Sequence, residues 1–425
     1  MSMCPSSPSF TTSRFYPVLV ILLAAAFLFF KYILQVSPSV ITDELTRVFH
    51  IDGIGLGNLA ASFFYSFLVS QLFVGFLLDK YSPRLLTTLA ILLCAVGAYV
   101  FSKATHLSLA TGARIVTGIG AAFATVSYMK MASLWFGPRH FAFVGGLLAS
   151  AAMLGAMVGQ VPLSLLIAKV GWRPSLALCA GFGAVLAVLF YTLVRDKPNQ
   201  RQTSVTSNFL WRDLWEVLAN KQNWLITLYS GLAFSPIDAF AGLWCIPFLR
   251  DIYQLSQTQA AFFASLIFLG VALGSPLLGL FSDYVRQRRS VMFAGGGLAL
   301  VSISAVVYVT GLANWLLGTL LLLFGLGTGA FMLGFTLGRE LNKLSVAATI
   351  IALINTGNIV FSAITQPLIG ILLDQGSPRC HLYVSSGVSH FSATNYQHAL
   401  MVLPCYVLLS LVLLYFIREP RITKA

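Results

Sequence analysis

Three charged side chains interrupt long apolar runs of this 425-residue sequence: Lys31, Arg114 and Asp238. A charge at mid-bilayer costs about 2.5–3.5 kcal/mol on insertion scales, so each should face a wet cavity or a partner. Each is therefore a candidate for substrate binding or ion coupling. Lys31 suits a carboxylate, and Asp238 suits an ammonium or a proton. Arg114 keeps its charge and so is no proton carrier itself; it can tune a carboxylate or bind backbone of the first helix. Asp238 is then the one plausible intramembrane proton carrier. Polar side chains able to share a cavity with these charges are Tyr32, Gln35, Tyr65, Gln71, Gln160, Asn355, Asn358 and Gln366. Asn355 and Asn358, three apart, fall on one face of a helix. Any of these polar residues suits a bridge between helices as well as a contact to substrate. The aromatics Phe63, Phe64 and Trp244 read as lipid- or core-facing.

The elements that carry these residues are membrane spans. The chain is 58% hydrophobic and 9% charged, with mean hydropathy +0.85. Soluble domains average roughly 45–50% apolar and about 25% charged residues, which excludes a soluble or disordered chain. About 20 apolar residues cross a bilayer. Twelve such runs lie near 15–37, 55–78, 85–102, 107–129, 141–168, 173–194, 222–249, 258–281, 290–310, 313–336, 346–373 and 397–417. The first is too long for a signal peptide and lacks a small-residue cleavage site, so it is read as a retained helix. The resulting organisation is a tail (1–14), a six-helix bundle (15–194), a polar linker (195–221), a second six-helix bundle (222–418) and a tail (419–425). A Ser-rich loop over 375–395 joins spans 11 and 12.

The net charge of +13 would suit nucleic acid until its placement is read. Eighteen of the 26 Lys and Arg fall on the side of the termini, six on the opposite side and two inside spans. By the positive-inside rule both termini are cytoplasmic, and the basic residues face anionic lipid, not nucleic acid. The six cysteines form no CxxC pair and the six histidines are scattered, so neither a disulfide framework nor a metal site is expected. No cofactor is called for. There is no P-loop, HExxH or GxSxG, which points away from an enzyme and from ATP and toward a gradient as the driving force.

The second half echoes the first. Gly75, Asp79, Lys80 and Arg84 follow span 2, and Gly279, Asp283 and Arg288 follow span 8, with matching positions offset by 204. Gly118-Ile-Gly120 in span 4 has its counterpart in Gly325-Leu-Gly327 of span 10. Six spans followed by six similar spans form a parallel repeat. Subtracting that offset from Asp238 gives position 34, one helical turn from Lys31.

On these motifs the chain resembles the major facilitator superfamily over essentially its whole length. Gly75…Asp79-Lys80…Arg84 is similar to the family's signature loop, and 279–288 to its second-half copy. Arg114-Ile-Val-Thr-Gly118 resembles the fourth-helix motif, and Gly171-Trp172-Arg173 a common pattern between helices 5 and 6. The resemblance implies an all-α integral membrane protein with two six-helix bundles related by a pseudo-two-fold axis along the membrane normal. It further implies a monomeric, multi-pass carrier of the bacterial inner membrane that handles a small molecule by alternating access. The gating role of the loops passes by resemblance to Gly75, Asp79, Lys80, Arg84, Gly279, Asp283 and Arg288; the plainer alternative is loop charges that follow the positive-inside rule. Gly75 is expected to let neighbouring helices approach closely.

Helices 1 and 7 face each other in that fold, so Lys31 and Asp238 should meet near mid-membrane. That suits a zwitterion, a pair broken by substrate or proton, or a static ion pair. Phe30-Lys31-Tyr32…Gln35 resembles the first-helix cation of organic-anion members, while Asp238 stands where the phosphate-ester branch has a cation, which argues against a dianionic phosphate. The resemblance links the helix-4 arginine to proton coupling. Gly155…Gly159-Gln160-Val-Pro162 in span 5 resembles an antiporter motif, with Gln160 where its proline belongs; close packing of span 5 on span 8, with Gly270, Gly274 and Pro276, is the simpler reading. Two functions follow as expectations. The first is proton-coupled symport of a small organic anion or zwitterion, such as an amino acid, short peptide or carboxylate. The second is proton-driven efflux of drug-like or siderophore-like compounds.

Overall fold

Cap residues set where the apolar runs begin. Asp52 accepts the Gly55 N–H at 2.8 Å and starts the second span. Ser82, followed by Pro83, starts the third. Ser256 and Gln259 form a reciprocal capping box at the start of the eighth. Each satisfies backbone donors that the first helical turn leaves without an intrahelical partner.

The computed structural model describes residues 15–136, 138–196, 211–343, 346–376 and 391–419. The tails 1–14 and 420–425, most of the linker (197–210) and most of the Ser-rich loop (377–390) lie outside the described residues. So do Cys4, Cys380, His381 and His390. Every regular element among the described residues is helical. Twelve of them are long and apolar enough to cross a membrane: Tyr16–Val40, Gly53–Leu78, Pro83–Lys103, Leu107–Trp135, Leu147–Val170, Trp172–Leu193, Lys221–Tyr253, Gln257–Val285, Arg288–Tyr308, Asn314–Glu340, Thr349–Gln375 and Ala393–Phe416. These are spans 1 to 12. With an even number of crossings, the described ends at Tyr16 and Phe416 share one face of the bundle, the terminal face.

Three features are not evident in the apolar pattern. A short helix, Thr42–Phe49, fills the loop after span 1. A second, Trp211–Ala219, lies within the linker. Span 7 contains a π-helical stretch, Ile237–Trp244, directly after Pro236. Proline has no N–H to donate and its ring crowds the preceding turn, so the helix widens there.

The two halves are joined at mid-depth and toward the face away from the termini. Asp43, after span 1, forms an ion pair with Arg250 at the end of span 7. Gln257 Nε2 donates to the Val40 carbonyl at 2.7 Å. The Asp374 carboxylate, in the last turn of span 11, accepts the first two N–H groups of span 2, from Gly53 at 3.0 Å and from Ile54 at 2.7 Å. A Cβ on Gly57 would lie 2.7 Å from the Gln366 carbonyl and from Pro367 Cα, so spans 2 and 11 approach backbone to backbone. Phe63 and Phe67 share a core with Ile359 and Ala363 at mid-depth. Toward the terminal face, Leu72, Phe73 and Phe76 of span 2 and Ile351 of span 11 are exposed.

Two expectations about glycine are corrected. A Cβ at Gly75 or Gly279 would meet no atom within 4 Å. The close approach expected at the signature loop is absent from this conformation, whose halves close at the other face. Span 5 does pack on span 8, but not through its glycines: Gly155 lies against Phe29 and Gly159 against Ile33 and Val36, all of span 1. Gly270 and Gly274 of span 8 instead lie against the span-10 backbone at Leu322 and Leu326. These glycines serve contacts within each half, while Gly53, Gly57 and Gly370 serve the contact of spans 2 and 11 between the halves.

A bond to a charged acceptor contributes about 1.5–3 kcal/mol. Asp374→Ala removes two of them and should shift the balance toward a state open at the non-terminal face by about tenfold or more. Spin labels on cysteines at the exposed Asn58 and Gln375 should then move apart. An unchanged distance distribution would contradict this role for Asp374.

Candidate substrate-binding and coupling site

Lys31 and Asp238 come together at the contact between spans 1 and 7, but through an intermediary. Lys31 Nζ donates to Gln35 Oε1 at 2.5 Å, and Gln35 Nε2 donates to Asp238 Oδ1 at 3.1 Å. A single primary amide therefore spans the gap, with its oxygen toward the cation and its NH2 toward the anion. The direct ion pair considered from the sequence is not among the salt bridges of the described residues. Lys31 and Gln35 stand one turn apart on span 1, which stacks their side chains on one face.

The second carboxylate oxygen of Asp238 accepts Ser362 Oγ at 2.9 Å. Its backbone carbonyl accepts Gln366 Nε2 at 3.1 Å. Both side-chain oxygens of Asp238 thus have donors already. Lys31 differs. An ammonium has three N–H donors, and among the described residues only Gln35 takes one. Aromatic rings also lie beside it: the Tyr32 ring centroid at 3.7 Å, Phe67 at 5.2 Å and Phe63 at 5.9 Å. Ring faces stabilise a cation without occupying its hydrogen-bond donors in a fixed geometry. Lys31, Gln35 and Asp238 are all buried, so a ligand here would meet fixed charges in a low dielectric.

Arg114 is tied to backbone. Its Nη1 donates to the Leu34 carbonyl at 2.8 Å, and Nη2 reaches the Gln35 carbonyl at 3.5 Å and the Ala60 carbonyl at 3.4 Å. Its guanidinium lies 5.0 Å from the Phe63 ring centroid. Of the roles open to it, this conformation displays contact with the backbone of spans 1 and 2. Gln160 is likewise engaged: Nε2 donates to the Ala241 carbonyl at 2.9 Å, and Oε1 accepts Ser39 Oγ at 3.3 Å. Gln160 and Gln366 each satisfy a carbonyl of the π-helical stretch.

Asn358, Ser362 and Gln366 recur every four residues along span 11 and form a polar stripe. Asn358 Oδ1 and Gln366 Oε1 are buried without a hydrogen-bond partner, as are Ser230 Oγ and Ser235 Oγ of span 7 and Gln71 Oε1 of span 2. Asn355 is half-buried at the edge of that stripe. Tyr65 stands apart: it is 45% exposed, one turn from the exposed Val69. Ser362 is the site residue the sequence reading passed over. Its spacing of four from both Asn358 and Gln366 is the signal that marks it.

The loop residues cluster within their own halves. Arg84 donates to the Tyr191 carbonyl and stacks on the Tyr191 ring, with its centroid at 4.4 Å. Ser82 Oγ and the Arg84 N–H donate to Asp196. Lys80 lies over Phe76 and Tyr81. Arg288 joins Asp283 and Glu340, each at 2.8 Å. The backbone N–H groups of Arg288 and Arg289 donate to Glu419. The Asp79 side chain lies outside what is described. No group of metal-ligating residues occurs among the described residues, and Cys94, Cys179, Cys245 and Cys405 are free.

A family model described as Major Facilitator Superfamily matches residues 19–337. A probable sulfoacetate transporter of Cupriavidus necator is 21% identical over 67% of this chain and 71% of its own length. A probable galactarate/D-glucarate transporter of Bacillus subtilis is 23% identical over 84% of this chain and 85% of its own. Among solved structures, a bacterial homolog of the human lysosomal transporter Spinster, inward-facing and unoccupied, superposes with a TM-score of 0.77 at 14% identity. It covers 95% of this chain and 96% of that one, and the likeness is one of fold.

Arg114 bonds to carbonyls of two spans, a task for a planar fork that a lysine ammonium performs poorly. Arg114→Lys should therefore cost about 1.5–3 kcal/mol and lower the thermal midpoint in detergent. Tyr65→Leu, at an exposed position, should stay within about 0.5 kcal/mol of the parent protein.

Proposed function

This chain belongs to the Major Facilitator Superfamily, and on that premise we propose that it carries a small, oxygen-rich organic anion by alternating access, with Lys31 as counter-ion to the carboxylate or sulfonate. One observation carries the reading: among the described residues Lys31 is a buried cation with a single hydrogen-bond acceptor and two N–H donors to spare. An anion entering the site gains a charge-assisted bond that water would otherwise weaken. The partnerless Asn358 Oδ1, Gln366 Oε1, Ser230 and Ser235 offer acceptors and donors to hydroxyl groups on the rest of the substrate. Relatives named for sulfoacetate and for galactarate or D-glucarate support an anionic, oxygen-rich class.

A zwitterion is less favoured, because the relatives named for sulfoacetate and for galactarate or D-glucarate are named for acids without an ammonium group. Efflux of drug-like compounds has little support, since the span-5 glycines that suggested it pack on span 1. Asp238 is our candidate for the coupling proton: it is the acid nearest Lys31 and lies in the π-helical stretch of span 7. When Asp238 is protonated, the local charge favours an anion beside Lys31 more strongly, which is the linkage that symport needs. Arg114 holds the span-1 backbone in register for both. Asp79, Lys80, Arg84, Asp283 and Arg288, with Gly75 and Gly279, are assigned to closure of the terminal face. The basic excess on that face supports a cytoplasmic location for it, in a monomer of the bacterial inner membrane.

Uptake of labelled sulfoacetate, D-glucarate and an amino-acid panel into proteoliposomes, with and without a pH gradient, tests this. The acids should accumulate when the outside is acidic. Lys31→Ala should lose about 95% or more of anion uptake, as removal of a charge-assisted bond of ~2 kcal/mol or more implies. Asp238→Asn should retain exchange of anion for anion while losing its response to the pH gradient. Transport restricted to hydrophobic cations, moving against the proton flow, would sink the proposal.

A further inference from the structure

Gln35 occupies an unusual position for a neutral residue, in the gap between a buried cation and a buried anion. Its Oε1 accepts from Lys31 at 2.5 Å and its Nε2 donates to Asp238 Oδ1 at 3.1 Å. Its own backbone carbonyl is reached by Arg114 Nη2 at 3.5 Å, and the carbonyl of the preceding residue, Leu34, accepts Arg114 Nη1 at 2.8 Å. The amide is thus pinned at the main chain and engaged at both ends of its side chain. Opposite charges in a low-dielectric interior attract strongly, and a lysine ammonium rides on a flexible four-carbon stem. A spacer must therefore hold Lys31 off Asp238, and the amide is what lies between them.

We infer that Gln35 is a positioning residue whose amide prevents Lys31 and Asp238 from collapsing into a direct ion pair, and so keeps the Lys31 ammonium available to an anionic substrate. A direct pair would place an internal carboxylate where the substrate's carboxylate must go. The amide supplies the compensation that each buried charge requires while exerting no net charge of its own. It thereby sets anion affinity without touching the anion. The inference rests on the proposed role of Lys31 as counter-ion, and the experiment separates the two.

The first measurement needs no substrate. Acylation of Lys31 by acetic anhydride, in which the free amine attacks the anhydride, gives up a proton and expels acetate, is followed by mass spectrometry of the peptide that contains it and reports how readily the side chain leaves an internal carboxylate. Gln35→Met keeps the length of the side chain and removes both hydrogen bonds. It should slow Lys31 acylation about tenfold, as a salt bridge of roughly 1.4 kcal/mol implies. The double variant Gln35→Met with Asp238→Asn removes the competing carboxylate and should restore the rate. The second measurement is the affinity for D-glucarate and sulfoacetate by thermal shift, which should fall about tenfold in Gln35→Met and recover in the double variant. Gln35→Leu serves if Gln35→Met folds poorly.

A positioning role is overturned if Gln35→Met leaves both readouts at the parent value. It is equally overturned if both are impaired and Asp238→Asn restores neither, because a packing defect or a direct contact to substrate would not be repaired at position 238. If acylation follows the expected pattern while Lys31→Ala leaves anion affinity intact, Gln35 positions Lys31 as inferred and the counter-ion reading fails.

Discussion

An ammonium and a carboxylate lie within one side chain's reach of each other at the centre of this bundle, away from bulk water. Each would cost several kcal/mol to hold there unaided, even after the protein relaxes around it. The compensation is distributed over the interface between the two halves. Gln35 supplies an acceptor to one charge and a donor to the other, Ser362 supplies a second donor to Asp238, and aromatic rings surround Lys31. Since Lys31 and Gln35 come from one half and Asp238 and Ser362 from the other, the site exists only where the halves meet. Electrostatics and architecture are the same constraint here. A shift of one half against the other alters what each charge touches.

Span 7 is built to take part in such a shift. After Pro236 the π-helical stretch presents carbonyls that accept side chains of other spans. Gln366 of span 11 serves the Asp238 carbonyl from the same half. Gln160 of span 5 serves the Ala241 carbonyl from the opposite half. The Gln160 bond therefore also joins the halves, and a change of register in span 7 would release it.

Much of this was legible in the sequence. The apolar runs, the twelve spans and the repeat follow from composition and spacing alone, and the described span ends fall within a few residues of the runs for most spans. Lys31, Arg114 and Asp238 announce themselves because charge is so costly in apolar surroundings. Their partners were harder to see. Gln35 is one polar residue among several until the structure places it between the two charges. Ser362 is too common a residue type to notice without its helical spacing. Which helix a glycine seats is a tertiary fact, so Gly155 and Gly270 mark close packing but not its partner. Asp374 falls just past the eleventh apolar run, and its capping of span 2 depends on an inter-helix approach that no local pattern encodes.

The bridged arrangement of Lys31, Gln35 and Asp238 also bears on the membrane potential. Moving one elementary charge through 100 mV is worth about 2.3 kcal/mol, so a carrier with net charge at its centre would reorient at a rate set by voltage. Lys31 and Asp238 by themselves sum to zero. On the proposed reading, a monovalent anion with one proton keeps the sum at zero, whereas a dianion such as sulfoacetate or D-glucarate with one proton brings it to minus one. The charge of the cargo then decides whether the field acts on the loaded carrier: a monovalent anion would leave the pH difference as the sole driving term, and a dianion would be opposed by a negative interior.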